Sequence, residues 1–328
     1  MANQPWTMDY KLKNMHIQHL TGLIAAPFTP MHPDGSLNLN LIPEYYRLLK
    51  ANENTGAFIC GSTGEGVSLT LEEKKQVAEA WAQASRQDPD FHVITLLGGT
   101  CLQDAMHLAR HAQDQGLYGV AFTAPSYFKP ANVQMLAACC QEVAAAVPQM
   151  PFYYYHIPVL TGVGFPMIDL LAEVADRIPN FAGIKYTHED FMDFLSCLRF
   201  QNGRYDLLWG RDENLLSALV LGARGGVGST YNYAAPLYRI LIEAFEAGNL
   251  ALARSCQQRA IDLIRLLGKY GGIATGKAYM KLVGLDCGEF RLPVRNMTAE
   301  QFPLFAGEVA ALDFATIRSR ASTLASIH

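Results

Sequence analysis

The residue with the most chemical consequence in this 328-residue chain is Lys185, in the stretch FAGIKYT at 181–187. A lysine inside an apolar run loses solvation of its charged form, and burial lowers its pKa toward the neutral, nucleophilic amine. Such an amine can add to a carbonyl and form a Schiff base. If FAGIKYT is a strand, alternation puts Gly183, Lys185 and Thr187 on one face and Ala182, Ile184 and Tyr186 on the other. The second set is apolar and suits a helix-covered side, so Lys185 is expected to point inward with room above Gly183. The competing reading lets the lysine stem snorkel and carry its ammonium to water.

Two other stretches complete a constellation. In PFYYYHIP at 151–158, parity groups Tyr153, Tyr155 and Ile157 against Phe152, Tyr154 and His156. Tyr155 lies nearest the carboxyl end, where a phenol can exchange a proton with a substrate hydroxyl; the plainer reading is an aromatic core residue. GSTGEG at 61–66 lacks the G-x-G-x-x-G spacing of a dinucleotide loop. A small carboxylate held by the hydroxyls and backbone N–H groups of Ser62 and Thr63 suits it better. A simple strand-to-helix turn is the alternative.

Several patterns are set aside. Residues 271–277 read G-x-x-x-x-G-K, but Ala278 replaces the Ser or Thr of a phosphate loop and no strand precedes it. His107 and His111 are four apart without the Glu of H-E-x-x-H, on a helix expected outside the sheet. His156 and His188 end adjacent strands but fall on the helix-facing side. No metal site is expected. Asn296-Met297-Thr298 matches a glycosylation triplet of the kind that arises by chance.

The elements that must position these residues recur regularly. Eight short apolar runs, GLIAAPFTP, GAFICGS, FHVITLLGG, GVAFTAP, PFYYYHIP, FAGIKYT, DLLWGRD and GGVGST, begin near 22, 56, 91, 119, 151, 181, 206 and 225. Between them, segments such as TLEEKKQVAEAWAQAS and LQDAMHLARHAQDQG carry apolar residues at i, i+3, i+4 and i+7. Continuous apolar strands with helical crossovers imply a parallel sheet covered by helices. Eight βα units close into a (β/α)8 TIM barrel, with active-site residues at the carboxyl ends of the strands. After Tyr233 only helical patterning continues. The organisation expected is a catalytic barrel over 21–235 and C-terminal helices over 236–328, packed on it within one domain.

Half the residues are hydrophobic and 17% are charged, which is enough apolar surface for a large core. The net charge of −4, with dispersed Lys and Arg, gives no basic stripe for nucleic acid. Residues 1–20 lack an apolar signal region and no run reaches membrane-span length. A cytosolic protein with no membrane partner is expected. Seven cysteines without a C-x-x-C pair read as reduced thiols.

Ser62-Thr63-Gly64-Glu65, Tyr155 followed by I-P, Lys185 and GGVGSTYNY stand in order across 21 to about 300. Together they resemble the dihydrodipicolinate synthase and N-acetylneuraminate lyase superfamily. FYYYHIPVLTGV and ENLLSALVLGARGGVGSTYNY are similar to its animal-type sialic acid lyase branch. The resemblance implies a Schiff-base lysine at Lys185, a proton-transfer residue at Tyr155 and carboxylate holders at Ser62 and Thr63. It also implies sugar-chain contacts at Thr187, Gly210, Asp212, Glu213, Gly228 and Ser229. Tyr127, in APSYFKP, matches an aromatic near a subunit interface, and a homotetramer is the family's common state. Leu160 stands where the synthases carry an arginine, which turns the resemblance away from them. Phe58 and Cys60 replace Tyr and Gly of some bacterial lyases. The activity implied is cleavage of N-acetylneuraminate to N-acetylmannosamine and pyruvate, with a keto sugar acid as partner and no cofactor. Another pyruvate-dependent aldolase and a non-catalytic keto-acid sensor are the rival expectations.

Overall fold

The computed structural model describes residues 17–321. Most of the opening segment, and residues 322–328 of the C-terminal extension, lie outside the described residues. Eight parallel strands close into a barrel in sequence order. They are β1 Gly22–Ala25, β2 Gly56–Ile59, β3 His92–Leu96, β4 Gly119–Thr123, β5 Phe152–His156, β6 Phe181–Tyr186, β7 Asp206–Trp209 and β8 Gly225–Gly228. Each begins within a residue of the position expected from the sequence. Closure pairs Gly22 with Gly225 and Ala25 with Gly228.

The two faces of the strands separate two cores. Outside, Phe152, Tyr154, Ile184 and Tyr186 join the layer formed with the surrounding helices. Inside, Ile24, Phe58, Ile94, Ala121, Tyr153, Tyr155, Leu208 and Val227 fill the barrel. Two residues at the start of β6 depart from strict alternation. Ala182, expected on the helix-facing side, belongs to the interior cluster, and Phe181, on the parity of Lys185, belongs to the outer one. The cause is a register shift between β5 and β6: Phe152 pairs with Phe181 but Tyr153 pairs with Gly183, leaving Ala182 as the extra residue of a bulge. Alternation resumes at Gly183, so Lys185 keeps its inward direction.

Local chemistry explains the crossovers. The helix Leu71–Ser85 starts with a reciprocal capping box between Thr70 and Glu73. The helix Leu102–Asp114 buries Ala105, Met106, Leu108, Ala109 and Ala112 along one stripe. His107 on it is exposed, and His111 approaches Glu79 at 3.2 Å. After β8 the helix Tyr231–Glu246 runs across residue 235, followed by Leu250–Tyr270, Thr275–Val283, Gln301–Ala311 and Phe314–Ile317. Among the described residues no helix is long and apolar enough to cross a membrane.

Candidate active site

Tyr155 and Lys185 are register partners on neighbouring strands and both side chains enter the barrel. Lys185 is buried. Its Nζ sits 3.9 Å from the centre of the Phe58 ring and 4.0 Å from that of Tyr155. The two rings meet edge to face at 5.5 Å. Desolvation brings the Lys185 amine down to about 7, while the Asp212 carboxyl pulls it the other way. The snorkelling alternative is excluded, because the amine ends inside the barrel. The shift brings the unprotonated amine, the form able to attack a carbonyl, within reach near neutral pH.

Burial raises the Tyr155 phenol above its ordinary value, and the neighbouring hydroxyls of Ser62 and Thr187 offset part of that rise. Tyr155 therefore holds its proton at rest. The Thr187 hydroxyl is buried without a well-formed hydrogen bond to protein. It fits tightly over Gly210, where an added Cβ would lie 1.9 Å from Thr187 Oγ1. Glycine at 210 is what lets the loop after β7 pass under that hydroxyl.

Asp212 is buried, and burial raises its carboxyl to about 6. Thr230 donates to it from backbone N–H at 2.9 Å and from Oγ1 at 2.6 Å. The Asp212 carboxyl rests on Gly228, where a Cβ would come 1.9 Å from Oδ1. Gln257 Nε2 donates to the Asp212 carbonyl at 3.1 Å, tying this loop to the helix Leu250–Tyr270. Glu213 lies at the rim, where Arg211 bridges it at 3.3 Å and Glu189 at 3.1 Å. Ser229 is half-buried, and its carbonyl accepts from Asn232 Nδ2 at 2.7 Å.

The 61–66 segment forms a closed turn: Glu65 N–H donates to Ser62 O at 3.2 Å and Gly66 N–H to Gly61 O at 3.1 Å. The N–H groups of Ser62 and Thr63 have no acceptor among the described residues. Thr63 is buried and, unlike Ser62, does not line the neighbouring cavity. A cavity of about 300 Å³ opens beside Ser62 and Tyr155 and extends past Gly98, Thr123 and Leu160. Lys185, Thr187, Asp212 and Ser229 do not line it, so it spreads over β2 to β5 rather than over β7 and β8. Tyr127 stands apart on the loop after β4, 81% exposed and edge to face with Phe128 at 5.1 Å.

Three features escaped the sequence reading. Thr230 holds Asp212, Arg211 bridges the two rim carboxylates, and Lys277 is buried against Glu65 at 2.8 Å rather than serving a phosphate loop. Only the last left a signal, as a lysine in an otherwise apolar helical stretch. The histidine pair is outside the barrel as expected. His156 packs on Tyr186 at 5.1 Å and on His188 at 5.6 Å, and desolvation lowers it to about 3. No group of three potential metal-ligating side chains occurs among the described residues.

The chain is 42% identical over 299 residues to the N-acetylneuraminate lyase of Rattus norvegicus, covering 90% of this chain and 93% of that protein. It is 41% identical over 285 residues to the N-acetylneuraminate lyase of Gallus gallus, covering 86% and 92%. Among solved structures, Proteus mirabilis N-acetylneuraminate lyase superposes with a TM-score of 0.88 at 40% identity, covering 90% of this chain and all of the other. Sequence and barrel fold are thus shared with these lyases over nearly their whole length. Residues 19–311 match the model of the dihydrodipicolinate synthetase family, and the chain belongs to that family.

Proposed function

We propose that the protein is an N-acetylneuraminate lyase, a carbon–carbon lyase that releases N-acetylmannosamine and pyruvate through a Schiff base on Lys185. The observation that carries this reading is the Lys185 amine, buried between two aromatic rings and brought down to about 7. Nζ adds to the C2 ketone of the open-chain acid and water departs, leaving a protonated imine. The C3–C4 bond then breaks and its electron pair moves into the imine, giving an enamine. Tyr155 takes up the C4 hydroxyl proton as it passes its own toward the substrate carboxylate, a relay suited to a phenol that is protonated at rest. Protonation at C3 and hydrolysis free pyruvate and restore the amine. Because the imine is itself the electron sink, the chemistry requires no cofactor.

Ser62 and Thr63 hold the carboxylate so that the reacting atoms stay aligned. Thr187, with its buried hydroxyl, and Glu213 and Ser229 at the rim face the sugar chain. Gly210, Asp212 and Gly228 shape that side of the mouth. Seven free cysteines, five of them buried, suit a reducing cytosolic setting. Subunit contacts, as in the homotetramer the resemblance implies, are supported by the exposed apolar side chains Val67, Tyr127, Phe128, Val159 and Leu160.

The ion pair between Arg211 and Glu213 favours one second reading, an aldolase of the same chemistry for a shorter sugar acid. A carboxylate already engaged by arginine offers less to a distal hydroxyl. Steady-state pyruvate release from N-acetylneuraminate and from a panel of 2-keto-3-deoxy sugar acids separates the two. The lyase reading expects the highest kcat/KM on N-acetylneuraminate; preference for a shorter acid overturns it in favour of the second.

A further inference from the structure

Glu65 lies two residues beyond Thr63 with a positive φ of 57°. Its Oε1 accepts from Lys277 Nζ at 2.8 Å, and its Oε2 accepts from the Arg291 backbone N–H at 2.8 Å. Lys277 Nζ also donates to the Glu289 carbonyl at 2.8 Å. Both charged side chains are at most 3% exposed. The partner comes from the helix Thr275–Val283, far along the chain. That helix is seated closely, since a Cβ on Gly276 would lie 2.2 Å from Phe28 Cζ.

The same turn is gripped at other points. Thr29 Oγ1 donates to Gly64 O at 2.6 Å. The Arg291 guanidinium donates to Ser68 O at 3.0 Å and pairs with Glu73. Because the 61–66 turn is closed by its own backbone hydrogen bonds, fixing Glu65 fixes Ser62 and Thr63. A fully buried ion pair is a poor source of net stability, since desolvation of two charges offsets their attraction. Its geometry, in contrast, is rigidly defined.

We propose that Glu65 and Lys277 are positioning residues that set the Ser62–Thr63 turn to receive the carboxylate of the 2-keto acid. The inference rests on the reading above that this turn is the carboxylate site. The test is borohydride trapping of pyruvate on Lys185, followed by intact mass across a pyruvate titration. The variants are Lys277→Met, Lys277→Arg, the double replacement Glu65→Leu with Lys277→Met, and Thr63→Val. The double replacement removes both charges together and so guards against loss of folding from a single unpaired buried charge.

The expected result is a double variant that melts cooperatively, needs at least roughly tenfold more pyruvate for half-maximal trapping, and still reaches full trapping at saturation. A tenfold change in half-saturation corresponds to about 1.4 kcal/mol of lost carboxylate binding. Lys277→Arg should restore most of the lost affinity. A double variant with a lowered Tm but the wild-type half-saturation shows that the pair is structural only, and overturns the proposal. If Thr63→Val also leaves half-saturation unchanged, the carboxylate reading of the turn falls with it. If Thr63→Val weakens trapping and the pair variants do not, only the role of the pair is lost.

Discussion

At the scale of single residues, the function depends on one amine whose proton is easily lost. Lys185 is brought down to about 7, from an ordinary value of 10.5. The fraction able to attack therefore rises with pH through about 7 and then levels off, and trapping of pyruvate should follow that curve. The Asp212 carboxyl opposes the shift, so Asp212→Asn should move the rise to lower pH. A profile with its midpoint near 10, or a shift toward alkaline pH in Asp212→Asn, would contradict this account. Tyr155→Phe should retain imine trapping but lose about 10²- to 10⁴-fold in kcat, the usual contribution of a positioned acid or base. A loss under roughly threefold would show that another group carries the proton. Lys185 and Tyr155 were legible because strand parity and an apolar setting define where a polar side chain ends. Thr230 was not, since nothing in its neighbourhood distinguishes a hydroxyl bonded to Asp212 from any other at a helix start. The Phe58 ring against Lys185 was equally hidden, because stacking joins strands whose separation in sequence exceeds 100 residues.

At the scale of elements, the strands place these groups by glycine as much as by side chains. Gly228 leaves room for the Asp212 carboxyl, and Gly210 for the Thr187 hydroxyl. Gly228→Ala should push the carboxyl off Thr230, lower stability by about 1–3 kcal/mol as overpacking does, and reduce kcat/KM. Thermal melting and steady-state kinetics check this; an unchanged Tm with unchanged kcat/KM would refute the close packing. Continuous apolar runs located all eight strands because each is buried on both faces and bounded by turn residues. Side-chain parity misplaced Ala182, because a bulge depends on the register with β5, which lies in another part of the chain. The loops were the least legible part. The bridge of Arg211 to Glu189 and Glu213 joins the ends of β6 and β7 and exists only once the barrel has formed.

At the scale of the molecule, the exposed apolar residues on the loop after β4 bear on assembly. Tyr127 and Phe128 are 81% and 84% exposed as an edge-to-face pair. Phe128→Glu should place a charge in a subunit contact and reduce the assembled mass seen by light scattering or native mass spectrometry. A mass equal to the wild type would remove this loop from the interface. The barrel itself was foreseen because closure follows from eight equivalent units, whereas the pairing of Lys277 and Arg291 with Glu65 in the turn after β2 joins distant parts of the chain and could not be assigned from either end. Closure also has a consequence for how the protein is made. β1 hydrogen-bonds to β8, about 200 residues later, and β8 is GGVG, a sequence of low strand propensity. At synthesis rates of about 5–20 residues per second, β1 emerges from the ribosome roughly 10–40 s before its second partner exists. Throughout that interval one edge of the nascent sheet stays open to other chains, and the strand that finally covers it is among the weakest. The yield of native enzyme should thus be decided late in translation, by how well the growing chain is shielded until β8 arrives.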